Sequence, residues 1–199
     1  MSRAFVSADV SDPVAVFRGW LAEAESTEIN DPNACALATA TREGVPSVRM
    51  VLLKQVDARG FVFFTNAESQ KGRELKENPV AAMCFHWKTQ HRQVRVEGMV
   101  TELPGAEADA YFKSRSRGSQ LGAVVSRQSR PLASREMLEA LVAKLEAELP
   151  GEVPRPEYWK GYLLEPKTIE FWRDGEGRLH DRFRFVSVDG GWRVDRLFP

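Results

Sequence analysis

Cationic and hydroxyl side chains recur in this sequence in short ordered clusters, and those are the groups that suit the oxygens of a phosphate ester. Arg49 and Lys54 bracket the apolar run Met50, Val51, Leu52 and Leu53; Thr65 and Asn66 precede Ser69, Gln70 and Lys71; Arg115, Arg117, Ser119, Gln128 and Ser129 fall in one polar stretch. An arginine fork matches phosphate geometry, and a hydrogen bond to a charged group is worth roughly 1.5–3 kcal/mol. Neither GxGxxG nor the P-loop pattern GxxxxGK followed by Ser or Thr occurs, so a phosphate must be held by side chains rather than by a backbone-amide cradle. For any one of these cations taken alone, a solvated surface position is the ordinary explanation.

A second group lies between Ile169 and Arg182. Laid along an extended strand, Arg178, His180 and Arg182 project to one face and Leu179 and Asp181 to the other. Two guanidiniums flanking an imidazole repel one another unless an anion or an electron-rich ring lies between them. The alternative is an exposed edge strand whose charges deter aggregation, and the residues alone leave both open. His86 and His91 have no partners at ligand spacing, and Cys35 and Cys84 form no CxxC pair. No metal site is expected, and the thiols are expected to be reduced and packed. Trp20, Trp87, Trp159 and Trp192 read as core or interface aromatics.

The elements that must position these side chains are mostly short strands. Ser11-Asp12-Pro13 offers a cap and a first-turn proline, and Val14, Phe17, Trp20 and Leu21 then recur at helical spacing. β-like runs follow at 35–41, 45–54, 61–66, 80–87 and 93–103, with little helix between them, which favours an antiparallel meander over parallel βαβ units. Residues 106–114 and 134–148 read as helices separated by a polar connection at 118–129. Met137, Leu138, Leu141, Leu145 and Leu149 form a stripe that should pack on the barrel. Strands resume at 161–164, 168–172, 182–188 and 192–197, punctuated by Pro166 and a Gly190-Gly191 hairpin. The expectation is a mainly β fold with helices, as one domain over residues 1–199, with an N-terminal helical segment at 1–30 and a helical insertion at 104–150.

Lys plus Arg and Asp plus Glu are both 28, so no overall basic field attracts nucleic acid or an anionic membrane. No apolar run approaches the length of a membrane span and no basic start leads into an apolar leader. The chain is therefore expected to be cytoplasmic, with neither nucleic acid nor membrane as partner.

Ile169-Glu170-Phe171-Trp172 followed by Arg178-Leu179-His180-Asp181-Arg182 resembles the C-terminal signature of the pyridoxamine 5′-phosphate oxidases. Arg49 to Lys54, Phe63-Phe64-Thr65-Asn66, Ser69-Gln70-Lys71, Arg92-Gln93-Val94, Tyr111 to Arg115, Ser119 to Gly122 and Ser126 to Ser129 resemble that family's blocks in the family's order, over roughly residues 30 to 199. The resemblance implies an antiparallel FMN-binding split β-barrel, working as a homodimer with FMN at the subunit interface. It implies oxidation of pyridoxamine or pyridoxine 5′-phosphate to pyridoxal 5′-phosphate, with O2 as acceptor and H2O2 released. Arg49, Lys71, Gln128 and Ser129 would hold the FMN phosphate and ribityl chain. Gln70, Phe64, Thr65 and the strand with Met50, Val51, Leu52, Leu53 and Lys54 would line the flavin, and Gln93, Trp172 and Arg182 would surround its ring. Lys54, Tyr111, Arg115 and Ser119 would take the substrate phosphate, and Arg178 and His180, the catalytic pair, would close over the pyridine. Phe64 stands where the family usually has Tyr, and Arg173 where Gln, His or Gly is usual. The rivals are a related flavin oxidase of the phenazine-biosynthesis type and a non-catalytic flavin or vitamer binder.

Overall fold

The computed structural model describes residues 12–199. Ser11, and the rest of the 1–30 segment before Asp12, lie outside the described residues. Asp12 caps the first helix, α1 (Pro13–Thr27), its carboxylate accepting from the N–H groups of Val14 at 2.9 Å and Ala15 at 3.1 Å. Pro13 fits the first turn because its missing N–H would have no helical partner there. Val14, Phe17, Trp20 and Ala24 form the buried face of α1.

Among the described residues nine strands make one antiparallel sheet: β1 (Ala34–Ala40), β2 (Pro46–Leu52), β3 (Gln55–Asp57), β4 (Gly60–Asn66), β5 (Val80–Trp87), β6 (Arg92–Glu102), β7 (Trp159–Arg173), β8 (Asp181–Val188) and β9 (Gly191–Arg196). Their order is β2-β1-β5-β6-β7-β4-β3, with β8 on β7 and β9 on β8. β7 branches the sheet, residues 159–164 pairing with β4 and residues 168–173 with β8. The sheet also curls. Phe61 of β4 and Phe85 of β5, with β6 and β7 between their strands, bring their rings to 6.4 Å, and both meet Phe17 of α1 at 4.8 and 4.9 Å. A half-barrel closed by a helix over an aromatic core results, the mainly β architecture with helices that the sequence predicts.

The sequence reading places a break at Pro166, whereas β7 runs through it. The register partner of Pro166 is Gly98, and the register shifts between Glu97 and Gly98, leaving Lys167 of β7 as the extra residue of a bulge, so the missing donor falls where the ladder is already irregular. A Cβ at Gly98 would stand 1.9 Å from the Glu165 carbonyl oxygen, which only glycine avoids.

Four further helices are α2 (Gln70–Glu77), α3 (Gly105–Ser114), α4 (Arg117–Val125) and α5 (Arg135–Glu148). The expected polar connection at 118–129 is thus helical for much of its length. Leu121 of α4 joins Ala108 and Phe112 of α3, Val153 and Trp159 in a second small core. The stripe on α5 does not pack on the barrel: α5 rests on α4 through Val142 and Leu145, none of its residues is buried, and Met137 and Leu141 are 50% and 40% exposed. The apolar surface beside α5 belongs to α4, so only part of the stripe finds cover.

Alternation along β1 sends Cys35, Leu37 and Thr39 into the core and Ala34, Ala36, Ala38 and Ala40 to the outer face. Opposite these alanines on β2 stand Leu52, Met50 and Val48, exposed by 38%, 65% and 68%. Burial raises the pKa of both free thiols, Cys35 to about 12. Among the described residues no helix is long and apolar enough to cross a membrane.

Candidate active site

A cleft of about 450 Å³ lies among β2, β4, α3 and α4. Lys54, Tyr111, Arg115 and Ser119 line it, and so do Met50, Val51, Leu52, Phe64, Thr65, Lys71 and Gln128. The whole group expected at the substrate phosphate, and Lys71 and Gln128 of the group expected at the cofactor phosphate, therefore open on one space, whereas Arg49, Gln70 and Ser129 do not line it. Tyr111 lies on α3, Arg115 is its C-cap, and Ser119 sits in the first turn of α4, close to both. The chain turns directly from α3 into α4, which returns Ser119 to the cleft.

Aromatic rings build one wall. Phe64 stacks on Tyr111 and on Trp159, with centroids 4.2 and 5.2 Å away. The Lys54 ammonium lies 5.9 Å from the Tyr111 centroid and the Arg115 guanidinium 5.1 Å from that of Trp159. Such cation–π contacts leave the hydrogen-bonding edge of a guanidinium available. Arg115 Nη1 is buried without a hydrogen-bond partner, and burial pushes the Arg115 pKa down. A desolvated, unpaired cationic donor is costly alone and is satisfied by an anion. Trp159 and Ser116 also line the cleft, and the sequence carries no signal for either beyond an aromatic at the start of a strand.

Lys71 lies in the first turn of α2, buried, with Nζ donating to Thr65 Oγ1 at 3.0 Å and to the Gln128 side-chain oxygen at 2.9 Å. Burial first, and the Arg49 charge second, push its pKa down to about 8, against an opposing pull from Glu74. Ser129, at φ 68°, accepts the Gln70 backbone N–H on its hydroxyl at 3.2 Å. A lysine, two hydroxyls, an amide and the start of a helix thus converge, a donor set suited to a phosphate monoester.

Arg49 faces inward from β2. Its Nη1 donates to the Leu37 carbonyl at 3.2 Å and to Thr39 Oγ1, and its Nη2 to Ser47 Oγ and, at 3.4 Å, to Glu74. Glu74 is buried and accepts from Ser47 Oγ at 2.6 Å, from Gln70 Nε2 at 2.9 Å and from Thr39 Oγ1. Burial alone would raise its pKa; these hydrogen bonds and the Arg49 charge outweigh that and hold it at about 2. Leu53 belongs to the hydrophobic core and does not line the cleft.

The remaining expected residues lie elsewhere. Gln93, Trp172 and Arg182 form one cross-strand row over β6, β7 and β8. Arg178, His180 and Arg182 do not share a strand face as expected: residues 176–178 make a 3₁₀ turn, Gly177 and Arg178 have φ of 62° and 64°, and β8 begins only at Asp181. Two left-handed residues in succession reverse the chain, so alternation cannot carry through them. His180 is set by its neighbours, its ring 4.7 Å from that of Trp172 and its Nδ1 3.2 Å from the Gly175 N–H and 3.0 Å from Asp174 Oδ1. It lines a separate cavity of about 320 Å³ with Leu179 and the last four residues, and no residue lines both that cavity and the cleft.

Residues 21–148 match the family model described as pyridoxamine 5′-phosphate oxidase, and residues 159–199 the model described as the pyridoxine 5′-phosphate oxidase C-terminal dimerisation region. A pyridoxine/pyridoxamine 5′-phosphate oxidase of Anaeromyxobacter dehalogenans is 58% identical over 189 residues, covering 94% of this chain and 96% of its own. One of Rhizobium meliloti is 55% identical over 194 residues, covering 96% and 94%. Among solved structures, PhzG of Burkholderia lata in complex with tetrahydrophenazine-1-carboxylic acid superposes with a TM-score of 0.91 at 36% identity, covering 96% of this chain and 94% of its own. An FMN-binding protein of Nostoc punctiforme, 16% identical, superposes with a TM-score of 0.78, covering 96% of this chain and 100% of its own, and shares the fold.

Proposed function

The chain belongs to the pyridoxamine 5′-phosphate oxidase family, and from that premise we propose how its residues oxidise the two phosphorylated vitamers. The reaction converts pyridoxine or pyridoxamine 5′-phosphate to pyridoxal 5′-phosphate. Dioxygen is the final acceptor and leaves as hydrogen peroxide, and the amine substrate additionally takes up water and releases ammonia. The enzyme is a flavoprotein, and FMN is the flavin we assign to it. The donor set around Lys71 fits the FMN phosphate, and the unpartnered Arg115 Nη1 leaves room for a second phosphate in the same cleft. FMN, when bound, supplies the two-electron acceptor for hydride from the substrate C4′ and the route to dioxygen.

The chain supplies binding, orientation and charge. Lys71, Gln128 and Ser129, with Arg49 behind them, hold the cofactor phosphate and ribityl chain, and Gln70, Phe64, Thr65 and the strand from Met50 to Lys54 flank it. Lys54, Tyr111, Arg115 and Ser119 hold the substrate phosphate, fixing where C4′ can reach. Gln93, Trp172 and Arg182 surround the flavin ring, where a fixed cation stabilises the negative charge that reduction brings. Arg178 and His180 orient the pyridine.

Within one chain Arg178 and His180, like the row of Gln93, Trp172 and Arg182, stand apart from the cleft, and a homodimer is the arrangement that would bring them to it. The dimerisation region at 159–199 supports a homodimer, as does the apolar outer face of β1 and β2. We assign all 199 residues to one functional domain, since β7 joins the strands of both matched regions.

One observation carries this reading: Lys54, Tyr111, Arg115 and Ser119, of types suited to phosphate and one with a buried unsatisfied donor, share a cleft with Lys71 and Gln128. Purified protein supplied with FMN should convert pyridoxine 5′-phosphate to an aldehyde-absorbing product with release of peroxide; turnover of neither phosphorylated vitamer would overturn it. Substrate added without oxygen should bleach the yellow flavin, which a non-catalytic binder would leave coloured.

A further inference from the structure

We infer that Glu170 is a positioning residue for this reaction, fixing the Arg182 guanidinium and setting the charge it presents to the flavin ring. The inference rests on the functional reading above, which puts Arg182 beside that ring.

Glu170 stands on β7 two residues before Trp172, on the same face of the strand, and is only 7% exposed. One of its carboxylate oxygens accepts a hydrogen bond from Arg182 Nε at 2.9 Å and pairs ionically with Arg182 Nη2 at 2.8 Å. The third guanidinium nitrogen, Nη1, donates to the Phe198 carbonyl at 2.9 Å. All three nitrogens are thus committed and the guanidinium plane is fixed. The other carboxylate oxygen lies 3.6 Å from Arg95 Nη1, and Arg95 has a partner of its own in Glu97 at 2.6 Å. Arg182 is therefore compensated by one carboxylate, which it shares with a cation better served elsewhere.

A buried carboxylate among arginines is a poor device for stability, because desolvation consumes much of the attraction. It is a good device for holding a cation in one orientation at reduced field strength. Negative charge placed on a nearby ring by reduction feels Arg182 and Glu170 together, so removing the carboxylate charge favours the reduced flavin.

The test is the flavin midpoint potential of the holoenzyme, measured for the unaltered protein, Glu170→Gln and Glu170→Asp. Glu170→Gln should retain flavin and move the potential to a more positive value. Its kcat should fall by about tenfold or more through lost orientation while KM, set at the phosphate-binding cleft, changes less than about twofold. Glu170→Asp, which keeps the charge, should return the potential toward the original. An unchanged potential in Glu170→Gln would overturn the inference. Should that variant not fold, Arg95→Gln removes the competing cation at a more exposed position and should move the potential negative; no shift there would also overturn it. Unaltered protein that holds no flavin would defeat the functional reading instead.

Discussion

The ring of Phe64 stacks on that of Tyr111 with centroids 4.2 Å apart and planes inclined by 23°. The face of the Phe64 ring thus supports Tyr111, one of the residues to which we assign the substrate phosphate. Tyr111→Phe keeps that stack and removes one hydroxyl. KM for pyridoxine 5′-phosphate should rise by roughly 2–10-fold, the net value of about 0.5–1.5 kcal/mol for a hydrogen bond, with flavin content unchanged. Steady-state kinetics beside a flavin absorbance spectrum checks both parts.

Arg115→Ala should cost more, because the lost donors are charged and one is already desolvated. The rise in KM should be roughly 10–150-fold, from about 1.5–3 kcal/mol. Retention of flavin through gel filtration should hardly change. Equal loss of both would place Arg115 at the cofactor phosphate.

The depressed pKa of Lys71, about 8, ties cofactor affinity to pH. A bound phosphate favours the ammonium form, so binding is strongest below about 8, where Lys71 of the free protein is already protonated. Above that value one proton must be taken up on binding, and affinity falls as pH rises. Titration of flavin fluorescence between pH 6.5 and 9.5 should show the weakening only on the alkaline side. Lys71→Arg should remove the dependence.

Glu74 makes the opposite contribution, to acid stability. Its folded pKa of about 2 lies below the ordinary 4.5, so its stabilisation is present above 4.5 and is lost as pH falls toward 2. Denaturant midpoints should drop across that window in the unaltered protein and drop less in Glu74→Gln, which starts lower at neutral pH.

Gly98→Ala should destabilise the protein by about 1–3 kcal/mol through overpacking, because its Cβ meets a backbone carbonyl that cannot turn aside. A lowered thermal midpoint measures this. Ala at Gly118, where nothing lies within 4 Å, should have little effect.

The residues proposed to bind phosphate were legible as candidates because few side-chain types can do that work and they sit in short blocks, and Lys54, Tyr111, Arg115 and Ser119 do line one cleft. Alternation exposed the antiparallel strands in the same way. Three elements were hidden for identifiable reasons. β3 has only three residues, too few for a periodic pattern. α4 contains Gly118, Ser119 and Gly122 and buries only Leu121, so neither propensity nor amphipathicity marks it. The turn before His180 depends on left-handed backbone at Arg178, a conformation its residue type does not announce. The row formed by Gln93, Trp172 and Arg182 depends on strand register, and local periodicity does not report register between segments so far apart in the chain.

The alanines along the outer side of β1 have short side chains, so another sheet could approach closely, with Val48, Met50 and Leu52 ready to be covered. Hydrophobic burial withheld within a single chain becomes available on association. The resistance of this protein to heat is therefore expected to depend on how much of it is in the tube, with dilute samples melting earlier than concentrated ones.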